Sequence, residues 1–359
     1  MEFREVRVGE LEAFIRSELY LRSAHCPISR HRALSQAANP RAVPEGPALV
    51  LAVDGGQVVG YAGFLPDAIG KEKIYWNSGW WVADEFKNIA LPLFFQFLQK
   101  ARERVLLTDL TPHTEAIIRR LHFFRFREMA PGLRGYLRFN LGDLLPQRRP
   151  ALAPLRPAFR ALDGLANLLI GARNALRRYP LPREIKIEPI ATFTEADRAF
   201  IEAHSENELT RRGPDDILWI KDNPWVLPGD GCSIDYSHYY FTAVSDDFET
   251  RLLRISWLGE TKAILFTRRL NQHFTIPYLY FEEDILPVLA AYLYRQMIRG
   301  RCIHFTTFHP KLKDYMLQNP SPFVFQKDIR RTFAYHEKVG GYIPEGAVLQ
   351  DGDGDVAFC

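Results

Sequence analysis

Apolar positions change period along this chain, and each change marks an element. From residue 8 to 24, Glu and Arg alternate with Leu, Phe and Ile at helical spacing, which predicts a helix. Residues 33–47, rich in Ala, Asn and Pro, read as a loop. Ala48 to Val53 and Gln57 to Phe64 are apolar runs of strand length. They are joined by Asp54-Gly55-Gly56, where glycine supplies the positive φ that a tight hairpin needs. Lys73 to Val82 reads as a third strand and carries Tyr75, Trp76, Trp80 and Trp81. A helix follows from Leu91 to Arg102, and Pro92 is tolerated in its first turn because the N–H it lacks has no helical partner there. Val105 to Leu110, Thr114 to Leu121 and Arg134 to Phe139 then read as strand, helix and closing strand.

The same order returns later. Ile89-Ala90-Leu91-Pro92-Leu93, the strand at Val105 to Leu107, Thr111-Pro112-His113 and Phe123-Phe124-Arg125-Phe126 form the first series. Asp284-Ile285-Leu286-Pro287-Val288, Ile303-His304-Phe305, Phe308-His309-Pro310 and Phe323-Val324-Phe325 form the second. Asn39-Pro40 and Asn223-Pro224 extend the echo upstream. A repeat this long is a duplicated domain, not a solenoid unit of roughly 20–50 residues. The second series also predicts a strand from Ile185 to Ile190 and a helix from Glu195 to His204, capped by Thr192 or Thr194. Strands follow at Tyr239 to Val244, Leu252 to Trp257, Thr261 to Thr267 and Phe274 to Tyr280. Between the series, six prolines from Pro146 to Pro182 bracket a helical stretch from about Ala158 to Arg178. The expected division is a first domain at 1–142, a linker at 143–184 and a second domain at 185–359. Strands preceding a central helix in each copy predict an α/β (α+β) architecture, a mixed sheet with helices on its faces.

Length and composition agree with two ordinary cores. The chain has 359 residues, 47% apolar and 25% charged, which excludes disordered and fibrous classes. A net charge of +3 is too small to argue for nucleic acid, and none is expected as a partner. Cys26, Cys232, Cys302 and Cys359 form no CxxC pair and suit a reducing cytoplasm better than a disulfide scaffold or a zinc site, so no metal is expected. The first residues lack a signal-peptide pattern, and no apolar run reaches the ~20 residues of a membrane span.

Val82-Ala83-Asp84-Glu85-Phe86-Lys87-Asn88-Ile89-Ala90-Leu91-Pro92 resembles the acyl-CoA loop of the GNAT superfamily of acyltransferases. In that family a strand-ending valine leads into a glycine-rich helix start, whose bare N–H groups and dipole hold the CoA pyrophosphate. The neighbouring order is similar too: Gly56 to Gly63 looks like the hairpin before the cofactor strand, and His113 to Phe126 like the helix after it. The resemblance implies two GNAT-like domains, each a mixed, mostly antiparallel twisted sheet flanked by helices, and acetyl-CoA or another acyl-CoA as co-substrate. It implies cofactor contacts from Trp81, Val82, Lys87, Asn88, Ile89, Ala90 and Leu91. Asp109 and His113, at the end of the strand flanking the CoA groove, are the candidate catalytic acid–base groups. The loop departs from the family pattern: Ala90 and Pro92 replace small residues, Lys87 replaces Arg or Gln, and Arg125 replaces the usual glycine. Leu121 falls where the family's proton-donating tyrosine would stand, and leucine transfers no proton.

In the second copy the matching stretch is Phe281-Glu282-Glu283-Asp284-Ile285-Leu286-Pro287. Its carboxylates satisfy the helix dipole and repel a pyrophosphate, so this copy is expected to lack CoA. Arg211 to Trp219 with Asn223-Pro224 is similar to a segment of tandem GNAT proteins lying near the acceptor side, and equally reads as a helix with a buried Trp219 and a proline stop. The Arg-rich stretch at 158–178, with Phe159, Leu162, Leu165, Leu169 and Leu176 on one face, reads as a helix packed between the copies or lying on a membrane surface or carrier protein. The expected activity is N- or O-acyl transfer to a small-molecule, sugar or peptide acceptor. A non-catalytic scaffold on a decayed fold, and transfer from a carrier-bound donor, are the alternatives.

Overall fold

The computed structural model describes residues 1–229 and 238–358, so Cys232 and Cys359 lie outside the described residues. The chain folds into two compact units. Unit 1 takes Met1–Met129, Ala191–Thr250 and Arg331–Cys359, and unit 2 takes Ala130–Ile190 and Arg251–Arg330. Neither is continuous, unlike the blocks read at 142 and 185.

Along the chain, unit 1 begins with β1 (Glu2–Arg7), α1 (Leu11–Phe14), α2 (Glu18–Arg22), α3 (Arg30–Ala37), β2 (Pro47–Asp54), β3 (Gln57–Ile69) and β4 (Glu72–Val82). It continues with α4 (Ala90–Lys100), β5 (Val105–Thr108), α5 (Pro112–Arg120) and β6 (Phe124–Glu128). Unit 2 then takes β7 (Gly132–Tyr136), α6 (Leu141–Arg148), α7 (Arg156–Arg177) and β8 (Ile185–Pro189). The chain returns to unit 1 for α8 (Glu195–His204), α9 (Pro214–Asp222), β9 (Leu227–Pro228) and β10 (Val244–Ser245). Unit 2 resumes with β11 (Phe248–Trp257), β12 (Glu260–Leu270), β13 (His273–Phe281), α10 (Leu286–Arg299), β14 (His304–Thr307), α11 (Pro310–Gln318) and β15 (Phe325–Ile329), and unit 1 receives β16 (Thr332–His336).

The unit 1 sheet has the order β1-β2-β3-β4-β5-β16-β6, and that of unit 2 the order β15-β7-β14-β13-β12-β11-β8. Each is mixed and mostly antiparallel, with one parallel pair, β4 with β5 and β13 with β14. The closing strands are therefore exchanged. β7, which follows β6, lies between β14 and β15, while β16, which follows β15, lies between β5 and β6. Side-chain fit selects this arrangement. A Cβ at Gly132 or Gly135 would stand 2.5 Å from the rings of Phe308 or Phe323, so β7 is shaped for unit 2. An identical ladder made by an exchanged strand costs little in hydrogen bonding.

Helical face and strand pleat explain the cores. Leu93, Phe94, Phe97 and Leu98 of α4 recur at helical spacing, are buried, and press on Val50, Ala52 and Phe64 of the sheet. The opposite face carries Leu49, Leu51 and Val53 against α1 and α3. In unit 2, α10 packs Leu289, Leu293 and Met297 on Leu265 and Leu279. Each such side chain contributes roughly 1.5–3 kcal/mol on burial.

Three sequence expectations fail locally. The helix expected at 8–24 breaks because Ser17 accepts the Tyr20 N–H and starts a new helix. The expected loop at 33–47 begins inside α3, capped by Ser29. The expected strand at Tyr239 to Val244 shrinks to β10, since Tyr239 and Phe241 turn into aromatic packing with each other and with Tyr61.

Helix α7 packs inside out. Its polar side faces the rest of unit 2: Asp163 accepts from the Leu141 and Gly142 N–H groups at 3.0 and 2.8 Å, and Arg173 and Arg177 bond the Pro322 and Ser321 carbonyls. Leu162, Leu165, Leu169 and Leu176 are 57–84% exposed.

Candidate active site

The site starts from a fault in β4. β3 and β4 pair from Ile69↔Glu72 to Gly60↔Val82, with a register shift between Ala62 and Phe64. Opposite the shift, Gly79 takes φ +90, and a Cβ at Gly63 would stand 2.3 Å from the Ser78 carbonyl oxygen. Glycine alone permits that approach, and the bulge re-aims the strand end. Trp80 stacks on Phe94 of α4 at 4.7 Å, whereas Trp81 packs on the opposite face against Tyr61 at 5.7 Å. On its other edge β4 meets β5 only at Tyr75↔Val105 and Trp76↔Leu106 among the described residues, yet β4 runs on to Val82. Beyond Trp76 the two strands part. A parallel pair that opens this way leaves strand backbone able to bond the amides of an extended ligand.

After β4 the chain makes a tight helical turn at Asp84–Ile89 before entering α4. The start of α4 has no side-chain cap, as a phosphate-binding helix would. The turn itself is acidic: Asp84 and Glu85 occupy its first positions, and Lys87 Nζ lies 3.0 Å from Asp84. Phe86 and Ala90 already donate their N–H groups to the Ala83 and Lys87 carbonyls. Of the expected cofactor residues, Lys87, Asn88 and Leu91 are exposed, Trp81, Val82 and Ala90 are half-buried, and Ile89 sits in the core under α4. In unit 2 the corresponding turn is acidic too, with Glu283 paired to Lys311 and Asp284 to Lys262 (3.2 Å).

The two catalytic candidates stand apart from the cavity described next. Asp109 ends β5 in a left-handed conformation (φ +52) and binds the Arg331 guanidinium at 2.7 Å. His113 is exposed in the first turn of α5. Leu121 ends α5 and packs partly into the core.

Against Trp81 lies a cavity of about 220 Å³, lined by His25, Cys26, Tyr61, Trp81, His238, Tyr239 and Tyr240. The rings of His25 and Trp81 are 4.5 Å apart, and those of Trp81 and Tyr240 6.4 Å. Cys26 Sγ donates to the Ile28 carbonyl (3.0 Å) and lies 3.3 Å from the Tyr20 hydroxyl. Burial raises this thiol above its ordinary pKa, so it stays protonated at neutral pH. Tyr61 is fully buried, and its hydroxyl has no hydrogen-bond partner among the described residues. Burial, reinforced by the phenol of Tyr239, holds it well above the usual tyrosine range. Behind this wall, Arg32 donates to the Tyr239 hydroxyl (2.7 Å) and to the Ser78 carbonyl (2.6 Å). The Ser78 hydroxyl in turn donates to Asp355 at 2.9 Å.

One layer further, Asp67 of β3 has a fully buried side chain. It pairs with Arg41, with Arg212 at 2.9 Å, and with the Trp76 indole N–H at 2.9 Å. Arg41 also holds Asp216 of α9 at 2.7 Å. The Arg211–Pro224 segment is thus fastened to β3 and β4, and Trp219 is buried as its helical reading required.

No protein-family model and no curated protein matches the chain. Solved structures do. A protein of unknown function from Enterococcus faecalis V583, described as a probable N-acyltransferase, matches at 10% identity and a TM-score of 0.50, covering 94% of this chain and 73% of its own. Saccharomyces cerevisiae N-myristoyltransferase matches at 8% identity and 0.48, covering 93% and 82%. A tandem GNAT protein from the clavulanic acid biosynthesis pathway matches at 12% and 0.46, covering 94% and 98%. Identity this low speaks to the fold alone. At a TM-score of 0.50 the shared feature is the fold, here two mixed, mostly antiparallel sheets flanked by helices. Both sheets open at their parallel pair, since among the described residues β13 meets β14 only from His273↔His304 to Thr275↔Thr306 before running on to Phe281.

Proposed function

We propose that unit 1 is an acyltransferase that moves an acyl group, acetyl in the simplest case, from a CoA thioester to an amine or hydroxyl. The observation that carries this reading is the bulged β4, which parts from β5 and ends at an uncapped helix start with a cavity beside Trp81. The extended arm of the donor would bond the open edge of β4, and the Val82–Leu91 turn would meet its phosphates. His25 replaces Asp109 and His113 as the base we favour, because it lines the cavity while Asp109 is held by Arg331. The acceptor nitrogen or oxygen attacks the thioester carbonyl and passes its proton to His25. The C–S bond then breaks, and the CoA thiolate takes a proton from water. Calorimetry with acetyl-CoA is expected to show micromolar binding that Ala90→Glu abolishes. No heat with acetyl-CoA, longer acyl-CoA or acyl-phosphopantetheine would overturn the reading.

Asp84, Glu85 and the Lys87–Asp84 pair favour a second form of it, in which the donor is held by its pantetheine arm and the phosphates add little. A carrier-bound donor would then serve, and acyl-phosphopantetheine would bind as tightly as acyl-CoA. We assign unit 2 no CoA of its own, because Glu283 and Asp284 stand at the matching helix start. We place the protein in the cytoplasm, where Cys26 and Cys302 would stay reduced.

The outward leucine face of α7, in a segment rich in arginine, suits a peripheral contact with an anionic lipid surface. Vesicles containing phosphatidylglycerol are expected to sediment the protein, vesicles of phosphatidylcholine alone to do so weakly, and Leu165→Glu with Leu169→Glu to abolish both. Equal behaviour of the variant and the parent would remove this contact.

A further inference from the structure

We propose that the cavity between Tyr61, Trp81 and Tyr240 recognises a neutral aromatic ring, seating the ring of an arylalkyl amine or alcohol with a polar ring substituent on the Tyr61 hydroxyl. The claim that this ring belongs to the acyl acceptor rests on the acyl-transfer reading above; the claim that a ring binds here does not.

Size is the first constraint. At about 30 Å³ per water-sized group, 220 Å³ holds roughly seven such groups, the scale of a phenyl ring with one substituent. Shape is the second. Trp81 presents its ring between His25 and Tyr240, at tilted angles of 51° and 38°. Rings at such offsets leave room for a further ring to pack edge or face against indole, the arrangement aromatic quadrupoles favour.

Charge is the third. No carboxylate lines the cavity among the described residues. Two cations stand near its walls, Arg32 bonded to Tyr239 and Arg30 acting on the Cys26 thiol, and the buried Asp355 carboxylate faces Arg32. With no described lining carboxylate to pair an ammonium group, the aromatic walls suit a neutral ring.

The Tyr61 hydroxyl supplies the remaining contact. It is fully buried, has no partner among the described residues, and belongs to a ring that lines the cavity. A buried hydroxyl without a partner is costly, and a ligand atom that bonds it recovers that cost. Cys26 offers less, because its proton is committed to Ile28.

The probes are tyramine, phenethylamine and cyclohexylethylamine, titrated into the full chain without acyl-CoA and followed by calorimetry and ligand-observed NMR. Tyramine is expected to bind more tightly than phenethylamine, and cyclohexylethylamine to bind least. Tyr61→Phe is expected to weaken tyramine about fivefold while leaving phenethylamine unchanged, because only tyramine carries the ring hydroxyl. Trp81→Ala is expected to weaken both aromatic probes roughly three- to tenfold. Trp81 is packed, so Tyr240→Ala serves as a second variant; Tyr240 is 70% exposed and its removal leaves the core intact. Cyclohexylethylamine binding as well as the aromatic amines, tyramine unaffected by Tyr61→Phe, or no binding by any probe would overturn the proposal. Octanoyl-CoA displacing tyramine would also overturn it, by giving the cavity to the donor's chain. Ring binding with no acyl transfer in the presence of acetyl-CoA would keep the cavity and remove the acyltransferase. Transfer to a non-aromatic amine without ring binding would do the reverse.

Discussion

Asp67→Ala is expected to destabilise unit 1 by about 3–5 kcal/mol, enough to leave it largely unfolded at 37 °C. The Asp67 side chain has no solvent exposure, and two guanidinium groups converge on it, from Arg41 and Arg212. Removing the carboxylate takes the Asp67 ion pair away from Arg212, itself 3% exposed. It also removes the acceptor of the Trp76 indole N–H in the middle of β4. The loss is greater than the worth of one ion pair, because the buried guanidinium groups keep their desolvation cost when the carboxylate between them is removed. Arg212 further donates to the Gly354 carbonyl, so the C-terminal segment loosens with it. Urea unfolding followed by circular dichroism measures the change. Asp67→Asn is expected to fall between parent and alanine, since it keeps an acceptor and loses the charge. The pairing has a pH signature as well. Burial pushes the Asp67 carboxyl up, but Arg212 and then Arg41 outweigh it and hold the group below the ordinary carboxylate range. Its contribution to stability is therefore complete above pH 3.8 and is lost as pH falls below that. An alanine variant as stable as the parent would show that the network is an ornament.

The sequence showed Asp67 only as an acid inside the apolar run Phe64-Leu65-Pro66-Asp67-Ala68-Ile69. It was passed over in the sequence, although a buried acid at such a position demands a partner. The partners were not legible, because Arg41 and Arg212 lie far apart along the chain and only the fold brings them together. The duplication was legible for the opposite reason. Hydrophobic period and the Leu-Pro helix starts are local signals, and each unit keeps them. The strand exchange left a trace only in Gly132 and Gly135, whose missing side chains make room for Phe308 and Phe323. Nothing local says which of two equivalent gaps a strand will fill.

The site divides the same way. Trp81 and the Val82–Leu91 turn were found because they sit at a recognisable strand-to-helix junction. His25, Cys26 and Tyr61 were missed because they come from a loop and from the middle of a strand, with no shared spacing. The pair Asp109 and His113 was chosen on position along β5 and α5. Three-dimensional charge pairing, Asp109 with Arg331, shifts the weight to the residues around Trp81.

Acidification is expected to open unit 2 between pH 6.5 and 4, and three histidines are the cause. Burial holds His309 at a pKa of about 4, helped by the Lys311 charge. Burial and the neighbouring His304 take His273 to about 2, and burial with Arg134 takes His304 to about 4. His273 and His304 stack at 4.1 Å across the parallel pair of β13 and β14, so protonating one hinders the other. For each, the folded state prefers the neutral ring relative to the ordinary value of 6.5. Their contribution is present above pH 6.5 and withdrawn as pH falls, by up to about 1.4 kcal/mol per pH unit for each ring. In unit 1, His31 and His336 carry the same sign, but two acids oppose them. Burial raises Asp353 to about 6 and also raises Asp355, so these groups favour the folded state at low pH and weaken it as pH rises toward 6. Hydrogen exchange resolved by peptide is the suitable measurement, since it reads each unit separately. Protection of α11 and β14 is expected to fall steeply between pH 6.5 and 4, with β2 and β3 changing less. His309→Asn removes one titrating ring and keeps a good cap for α11, where His309 now accepts from the Leu312 N–H. That variant is expected to retain α11 protection to a lower pH than the parent, and an unchanged profile would acquit His309 of the acid sensitivity.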